Sequence, residues 1–256
     1  MKVILACRDG PPGHYIAGRL AEQNLLYALI VESGRTARRN KMQRLLRGGA
    51  IWQLPGKLLN VTLLMGYQAR HNRALRKFVA HRFGEGFPEG IQRLEVDDIN
   101  DKASKEFLQQ SNPDYLVILG TGLLRPEIIG IARQATLNIH GGLVPRYRNV
   151  HSDLWAFIND DRRNIGTSIL LLDEGIDTGD IVCQAPAGVD DDDTLVSARK
   201  KNLTMAGDLI EQALTDQSLM DNRRPQDTAL QEFYPTPGNR EFLKLLSIPL
   251  RRAFGR

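Results

Sequence analysis

An α/β fold with a doubly wound, mostly parallel sheet is what the chain predicts, together with one helical insertion and a short C-terminal appendage. Three observations lead there. Short apolar runs rich in β-branched residues alternate with helical patterns, the order that βαβ units require. Glycine-bearing turns follow the strands directly, where sheets of this kind hold their ligands. Residues 33–83 interrupt the alternation, and the chain turns polar after Asp216. The expected division is a main domain over 1–215, with a basic helical insertion at about 33–83, and an extension over 216–256 packed on the same domain.

Lys2–Ala6 (KVILA) suits a buried strand. Residues 8–13 (RDGPPG) read as a loop, since Pro11 and Pro12 lack amide donors and Gly10 and Gly13 permit tight turns. His14–Glu22 follows as a helix and Leu25–Val31 as a second strand. This opening is Rossmann-like. Gly10, Gly13 and Gly18 do not form G-x-G-x-x-G, however, so the loop reads as a cradle for part of a substrate, through Gly10, Gly13 and His14, rather than as a dinucleotide site.

In the insertion, basic helical patterns over 38–47 and 68–83 flank an apolar, glycine-punctuated stretch. Its large apolar side chains from Leu45 to Leu64, Trp52 among them, need burial. The sequence leaves four ways open: packing on its own domain, a substrate lid, a homodimer contact, or contact with an anionic membrane surface. From Arg35 to Arg82 there are twelve Lys and Arg and no Asp or Glu. That run suits phosphate or another anionic partner, or a solvated face balanced by the acidic stretch from Glu95 to Asp101.

Regular alternation then resumes. Ile91–Val96, Tyr115–Leu119 and Ala135–His140 read as strands. Helices are expected at Asp101–Gln110 and over Arg125–Ala132, where Pro126 suits a first turn. Ile165–Leu172 and Ile181–Gln184 are further strands. Leu154–Ile158 is a short helix capped by Ser152 or Asp153, and Thr194–Leu214 is a long one capped by the turn Asp190–Asp193. Residues 222–231 read as loop, 233–237 as an extended aromatic segment laid across the domain, and 243–250 with Arg251 and Arg252 as a short basic helix.

The composition is that of a globular protein, 42% hydrophobic and 25% charged over 256 residues with a net charge of +4. No apolar run approaches the roughly 18 residues that span a bilayer, and no signal-peptide pattern opens the chain. Cys7 and Cys183 both fall in apolar strand-like runs and read as free thiols rather than a disulfide. A cytoplasmic location is the expectation.

Asn138 and His140 stand two residues apart on an extended strand, so their side chains share a face while Ile139 points into the core. Gly141 and Gly142 end that strand. A core histidine satisfied by Asn138 would look the same. Asp177 adds the chemistry: an aspartate beside an imidazole orients it and favours its charged form. An amide and an imidazolium together can stabilise an oxyanion, and the carboxylate can take a proton from an attacking amine. Acyl transfer to an amine suits this trio. His151 and Asp153 invite a metal reading with His140 and Asp177, but the helix start explains them better, and no metal is expected.

N-I-H-G-G-L-V-P-R-Y-R-N (138–149) followed by D-E-G-I-D-T-G-D-I-V (173–182) closely resembles the formyltransferase family that uses 10-formyltetrahydrofolate. That family includes glycinamide ribonucleotide transformylase, methionyl-tRNA formyltransferase and the sugar-nucleotide N-formyltransferases. The likeness is good over about 90–185 and looser over the first strand and loop. It implies the formyltransferase fold and an N-formyltransferase taking the formyl group from 10-formyltetrahydrofolate. In that reading Asn138 and His140 polarise the formyl oxygen, and Asp177 holds His140 charged and relays the amine proton to the leaving folate nitrogen. The pterin slot would fall on Gly122, Leu123 and Leu124 and on the loop Asp173, Glu174, Gly175 and Ile176.

The chain departs from the family pattern at Asn149, where members often have glycine, and at Gly142, where several have serine. Both border the amine site, so the acceptor stays open. A small amine bearing phosphate is the expected acceptor, an amino-sugar nucleotide or a biosynthetic intermediate, with Arg148 and Asn149 beside it and Arg146 a further candidate for its phosphate or carboxylate. Nucleic acid is not expected, because methionyl-tRNA formyltransferases carry a larger second domain after this region. Three alternatives remain: a 10-formyltetrahydrofolate hydrolase, a folate- or anion-binding protein without turnover, and a nucleic-acid-binding protein resting on the basic run.

Overall fold

A computed structural model describes residues 1–35, 54–230, 232–238, 240–241 and 243–245. Seven strands, β1 (Val3–Arg8), β2 (Leu26–Glu32), β3 (Gln92–Val96), β4 (Tyr115–Leu119), β5 (Ala135–His140), β6 (Gly166–Leu171) and β7 (Ile181–Pro186), form one sheet in the order β3-β2-β1-β4-β5-β6-β7. The first five are parallel, and β6 and β7 join antiparallel at one edge. The strand order reverses direction between β1 and β4, and the crevice outside the strand ends at such a point is where open sheets of this class bind ligands.

Alternate residues of the central strands feed two cores, because successive side chains of a strand point to opposite faces. Leu5, Val117, Leu137 and Ile139 meet α1 (Pro11–Glu22), α2 (Leu54–Phe83) and α6 (Leu195–Thr215) on one face. Ile4, Ala6, Leu116 and Ile118 meet α3 (Lys102–Ser111) and α4 (Pro126–Ile129) on the other. The remaining helices are α5 (Ser152–Ile158) and α7 (Gln217–Asp221). Tyr115–Leu119 and Ala135–His140 fall where the sequence predicts them.

Several expectations need correction. Residues 8–13 are not all loop: α1 begins at Pro11, since proline in a first turn gives up an amide that had no partner there. Gly13 is needed for packing, because a Cβ there would lie 2.8 Å from the Arg8 carbonyl and 2.9 Å from Cys7 Sγ. The helix expected over 68–83 begins at Leu54, so residues 54–67 of the apolar stretch before it belong to the same 30-residue element. Helix α4 is four residues rather than the run expected from Arg125 to Ala132. Helix α5 follows His151 in a left-handed conformation with no side-chain cap, and α6 is capped by the Thr194 side chain rather than by the aspartate turn. A 3-10 turn at Thr228–Leu230 stands within the residues 222–231 that read as loop, and α7 ends just before them.

The helix expected over 38–47 lies outside the described residues, as do the named apolar side chains from Leu45 to Leu64 and residues 246–252 of the expected terminal helix. Cys7 and Cys183 are free, and burial pushes their thiols up to about 12 and about 11, with Asp9 adding to the first. Among the described residues no helix is long and apolar enough to cross a membrane.

Candidate active site

Strand β5 delivers Asn138 and His140. Asn138 pairs in register with Ile118, whose side chain belongs to the α3–α4 face, so Asn138 and His140 point to that face and Ile139 to the other. Between β6 and β7 the chain does not turn tightly but arches over β5 and brings Asp177 to them. Asp177 Oδ1 accepts from Asn138 Nδ2 at 3.0 Å and lies 3.4 Å from His140 Nδ1. Its Oδ2 accepts from the Asn149 backbone N–H at 2.9 Å. Two residues of β5 and the Asn149 amide thus meet at one carboxylate, 28 to 39 residues further along the chain.

The other ring nitrogen, His140 Nε2, is 2.7 Å from the Tyr147 carbonyl and 3.3 Å from Ser152 Oγ. A carbonyl can only accept, so Nε2 carries a proton. A second proton on Nδ1 gives an imidazolium with an acceptor at each end. The two expected oxyanion donors are therefore both turned towards protein acceptors. Asn138 Nδ2 retains its second hydrogen for a substrate oxygen, and His140 offers its Nδ1 edge beside Asp177.

The surrounding loop explains both departures from the family pattern. Asn149 has φ 73, a left-handed conformation that suits glycine and that asparagine tolerates. Its side-chain amide donates to the Tyr234 carbonyl at 2.8 Å. At Gly142 a Cβ would lie 2.5 Å from Ser152 Cβ and 2.9 Å from His140 Nε2, so only glycine fits beside the ring.

Arg148 is buried and donates to the Ile176 carbonyl from Nε at 3.2 Å and from Nη2 at 2.5 Å, which ties it to the Asp177 loop instead of leaving it open to a substrate phosphate. Arg146 is paired with Asp161 at 3.3 Å. Asp161 also accepts from Tyr147 Oη at 2.9 Å, and burial followed by that bond pushes the Tyr147 hydroxyl up to about 12.

A cavity of about 270 Å³ opens beside His140 on the α1–α2–α6 side. Leu75, Leu119, Ile139 and Leu203 form its apolar wall, while Asn72, Asn149, Asn202 and the Asp153–Arg199 pair supply polar groups. Burial raises the Asp153 carboxyl, and Arg199 at 2.5 Å more than offsets it, so the group lies below the usual carboxylate range. Asp153 is thereby engaged, and the described residues contain no group of three or more metal-binding side chains. Of the expected site residues, His140 and Asn149 line this cavity. Asn138, Asp177, Gly10, Gly13, His14 and Arg148 do not. His14 pairs with Asp9 at 2.8 Å and packs edge-on against Phe87.

The expected pterin residues lie on the other side. Leu124 and Leu172 pack on the same core cluster as Ile118, which puts both segments on the face of Asn138. Leu123 and Ile176 are exposed apolar side chains there. Asp173 is occupied within its own loop by the Gly175 N–H and the Thr178 hydroxyl, and Glu174 is exposed. Sequence reasoning missed Glu32, whose buried carboxylate accepts from Gly122 N at 2.9 Å, Ile99 N at 3.1 Å and Arg8 Nε at 3.1 Å. The available signal was a charge closing the apolar strand LYALIVE. It also missed Gln226, whose polar surroundings gave no signal.

Comparisons with known proteins bear on the family and the fold. Residues 70–214 match a family model described as formyl transferase. Over 140 residues the chain is 30% identical to a methionyl-tRNA formyltransferase of Finegoldia magna, covering 54% of this chain and 45% of that protein. Over 124 residues it is 29% identical to the methionyl-tRNA formyltransferase of Clostridium tetani, covering 48% and 40%. The chain thus spans less than half the length of these relatives. Among solved structures, a sugar N-formyltransferase from a Shewanella species aligns with TM-score 0.56 at 15% identity, over 97% of this chain and 87% of that one. Glycinamide ribonucleotide transformylase 1 from Symbiobacterium toebii aligns with TM-score 0.55 at 16% identity, over 89% and 95%. At these identities the structures bear on the fold alone.

Proposed function

The chain belongs to the formyl transferase family, and on that premise we propose that it moves a formyl group from 10-formyltetrahydrofolate to the amine of a small, phosphate-bearing acceptor, such as an amino-sugar nucleotide or a biosynthetic intermediate. The observation that carries this reading is the carboxylate of Asp177, which gathers Asn138 and His140 at the carboxyl end of β5. The exposed apolar side chains Leu123 and Ile176, on the face of Asn138, suit the walls of a slot for the donor's flat heterocycle. The cavity on the opposite side of His140 suits the acceptor.

The donor supplies an activated formyl carbon. As the amine attacks it, the formyl oxygen gains negative charge. Asn138 Nδ2 and a protonated His140 stabilise that charge, a contribution that for a single donor is about 10²–10³ in rate. Asp177, next to both, accepts the proton that the amine loses and returns it towards the folate nitrogen as the carbon–nitrogen bond breaks. The charge created on oxygen and the proton released by nitrogen are thus handled by three adjacent side chains.

A second reading is an aminoacyl-tRNA acceptor. It is favoured by the names of the matching relatives and by α2, where Arg70, Arg73, Arg76 and Lys77 are all exposed. One assay separates these readings from the hydrolase and the binding protein. The chain is incubated with 10-formyltetrahydrofolate and a panel of amino sugars, phosphorylated amines and methionyl-tRNA, and tetrahydrofolate release is followed. Release that depends on a phosphorylated amine is expected. Release only with methionyl-tRNA selects the second reading, release without any amine indicates hydrolysis, and folate binding without release removes catalysis.

A further inference from the structure

We propose that segments 224–227 and 232–235 form a strap that holds the two site loops together, with Gln226 as the positioning residue for Asp177. The inference rests on the formyl-transfer reading for its catalytic meaning. Asp177 has φ 51, a left-handed backbone that aspartate tolerates better than most residues. Its carboxylate is held by Asn138 and Asn149. Its backbone is held from the other side by Gln226, whose Nε2 donates to the Asp177 carbonyl and to the Gly179 carbonyl, both at 2.8 Å.

That amide is itself fixed in place. Arg224 and Ile181 exchange backbone hydrogen bonds at 3.0 and 2.8 Å, which pins the strap to the start of β7. Gln226 Oε1 is buried and has no partner among the described residues. An unpaired buried acceptor is a cost, so what a glutamine contributes here is its two donors.

Further along, the strap grips the loop that orients His140. The Glu232 N–H donates to the Pro145 carbonyl at 3.1 Å, and the Arg148 N–H donates to the Glu232 carbonyl at 3.2 Å. Tyr234 stacks on Tyr147, the residue whose carbonyl faces His140 Nε2, with ring centroids 5.2 Å apart. The Tyr234 carbonyl accepts from Asn149 and the Pro235 carbonyl from Trp155 Nε1. A single stretch of chain therefore sets the distance between the carboxylate and the imidazole.

The test compares the full chain with Gln226→Leu, which keeps the bulk and loses both donors, and with Gln226→Glu, which replaces them by acceptors should the leucine variant not fold. Acceptor-dependent tetrahydrofolate release should show kcat reduced on the order of 10- to 100-fold, with the donor KM unchanged and the Tm lowered by only about 2–4 °C. Hydrogen exchange at the Asn149 amide, which reports its bond to the Asp177 carboxylate, should accelerate about tenfold. Unchanged kcat overturns the proposal, as does a fall in kcat with no change at the Asn149 amide, whatever the Tm. If the wild-type chain releases no tetrahydrofolate with any amine, the formyl-transfer reading fails on its own. The Asn149 exchange rate then decides whether Gln226 positions Asp177.

Discussion

Glu32 at the end of β2 and Asp177 above the end of β5 are two carboxylates in closely similar settings, and they differ in what faces their charge. Glu32 is 3% exposed and collects two backbone N–H groups, from Ile99 and Gly122, and the Arg8 guanidinium. Asp177 collects the Asn138 amide and the Asn149 N–H and faces the ring of His140. A guanidinium is charged at every pH a protein survives, so Glu32 has a constant environment and acts as an anchor. The group facing Asp177 is an imidazole, a kind of side chain suited to proton transfer, and the formyl-transfer proposal gives Asp177 its part in that transfer. Similar hydrogen-bond counts therefore serve a brace at one strand end and, in the proposed reading, chemistry at the other.

Asp177→Asn is the sharpest way to break this comparison. The amide keeps the shape but cannot accept a proton from an amine and presents a donor to the Asn149 N–H or to Asn138. We expect kcat to fall by about 10³ or more, in line with the loss of an orienting aspartate elsewhere, while circular dichroism and Tm stay close to wild type. Turnover within a few-fold of wild type would place the proton acceptor at another residue.

Gly142→Ala acts on the same centre from the histidine side. The added carbon would come within 2.9 Å of His140 Nε2 and 2.6 Å of the Tyr147 carbonyl, so the ring or the loop must shift. A displacement of that size is expected to lower kcat by about 10², with a smaller effect on donor binding, because the expected donor residues lie away from Gly142. Equal losses in kcat and in donor affinity would show that the two sides of His140 are not separate.

How far the sequence reaches also divides along this line. Asn138 and His140 are legible because they stand against the apolar background of ATLNIH, and Asp177 because it lies inside the glycine-bearing loop DEGIDTGD that the family resemblance picks out. The supports are not. Glu32 reads as the polar end of a strand, and its partners lie 24, 67 and 90 residues away. Gln226 is one polar residue among many, with acceptors 47 and 49 residues back. The start of α1 is hidden because Pro11 and Pro12 are loop signals as well as first-turn residues. The apolar half of α2 is hidden because period alone does not say where a helix begins.

Glu32→Gln tests the anchor. The carboxamide replaces one accepting oxygen by a donor, so either Gly122 or Ile99 loses the partner of its N–H. A buried donor left unpaired costs about 1–3 kcal/mol, measurable by chemical denaturation. Because Gly122 opens the segment assigned to the folate slot, the donor KM should rise several-fold while kcat changes little. A fall in kcat with unchanged KM would make Glu32 part of the chemistry and erase the distinction drawn from Asp177.

Arg8→Ala is expected to have the smallest effect, and its size decides what kind of anchor Glu32 is. The Arg8 side chain is 44% exposed, so its charge is screened by water and salt even though it touches a buried carboxylate. The two backbone N–H groups remain, and water can enter where the guanidinium stood. The loss should be under about 1 kcal/mol and should shrink further in high salt, as for other exposed pairs. A loss of several kcal/mol, insensitive to salt, would mean that Glu32 depends on a fixed opposite charge and not on its amide partners. Asp177 would then be the more unusual of the two, because its hydrogen-bond partners are an amide side chain and a backbone N–H and no guanidinium is among them.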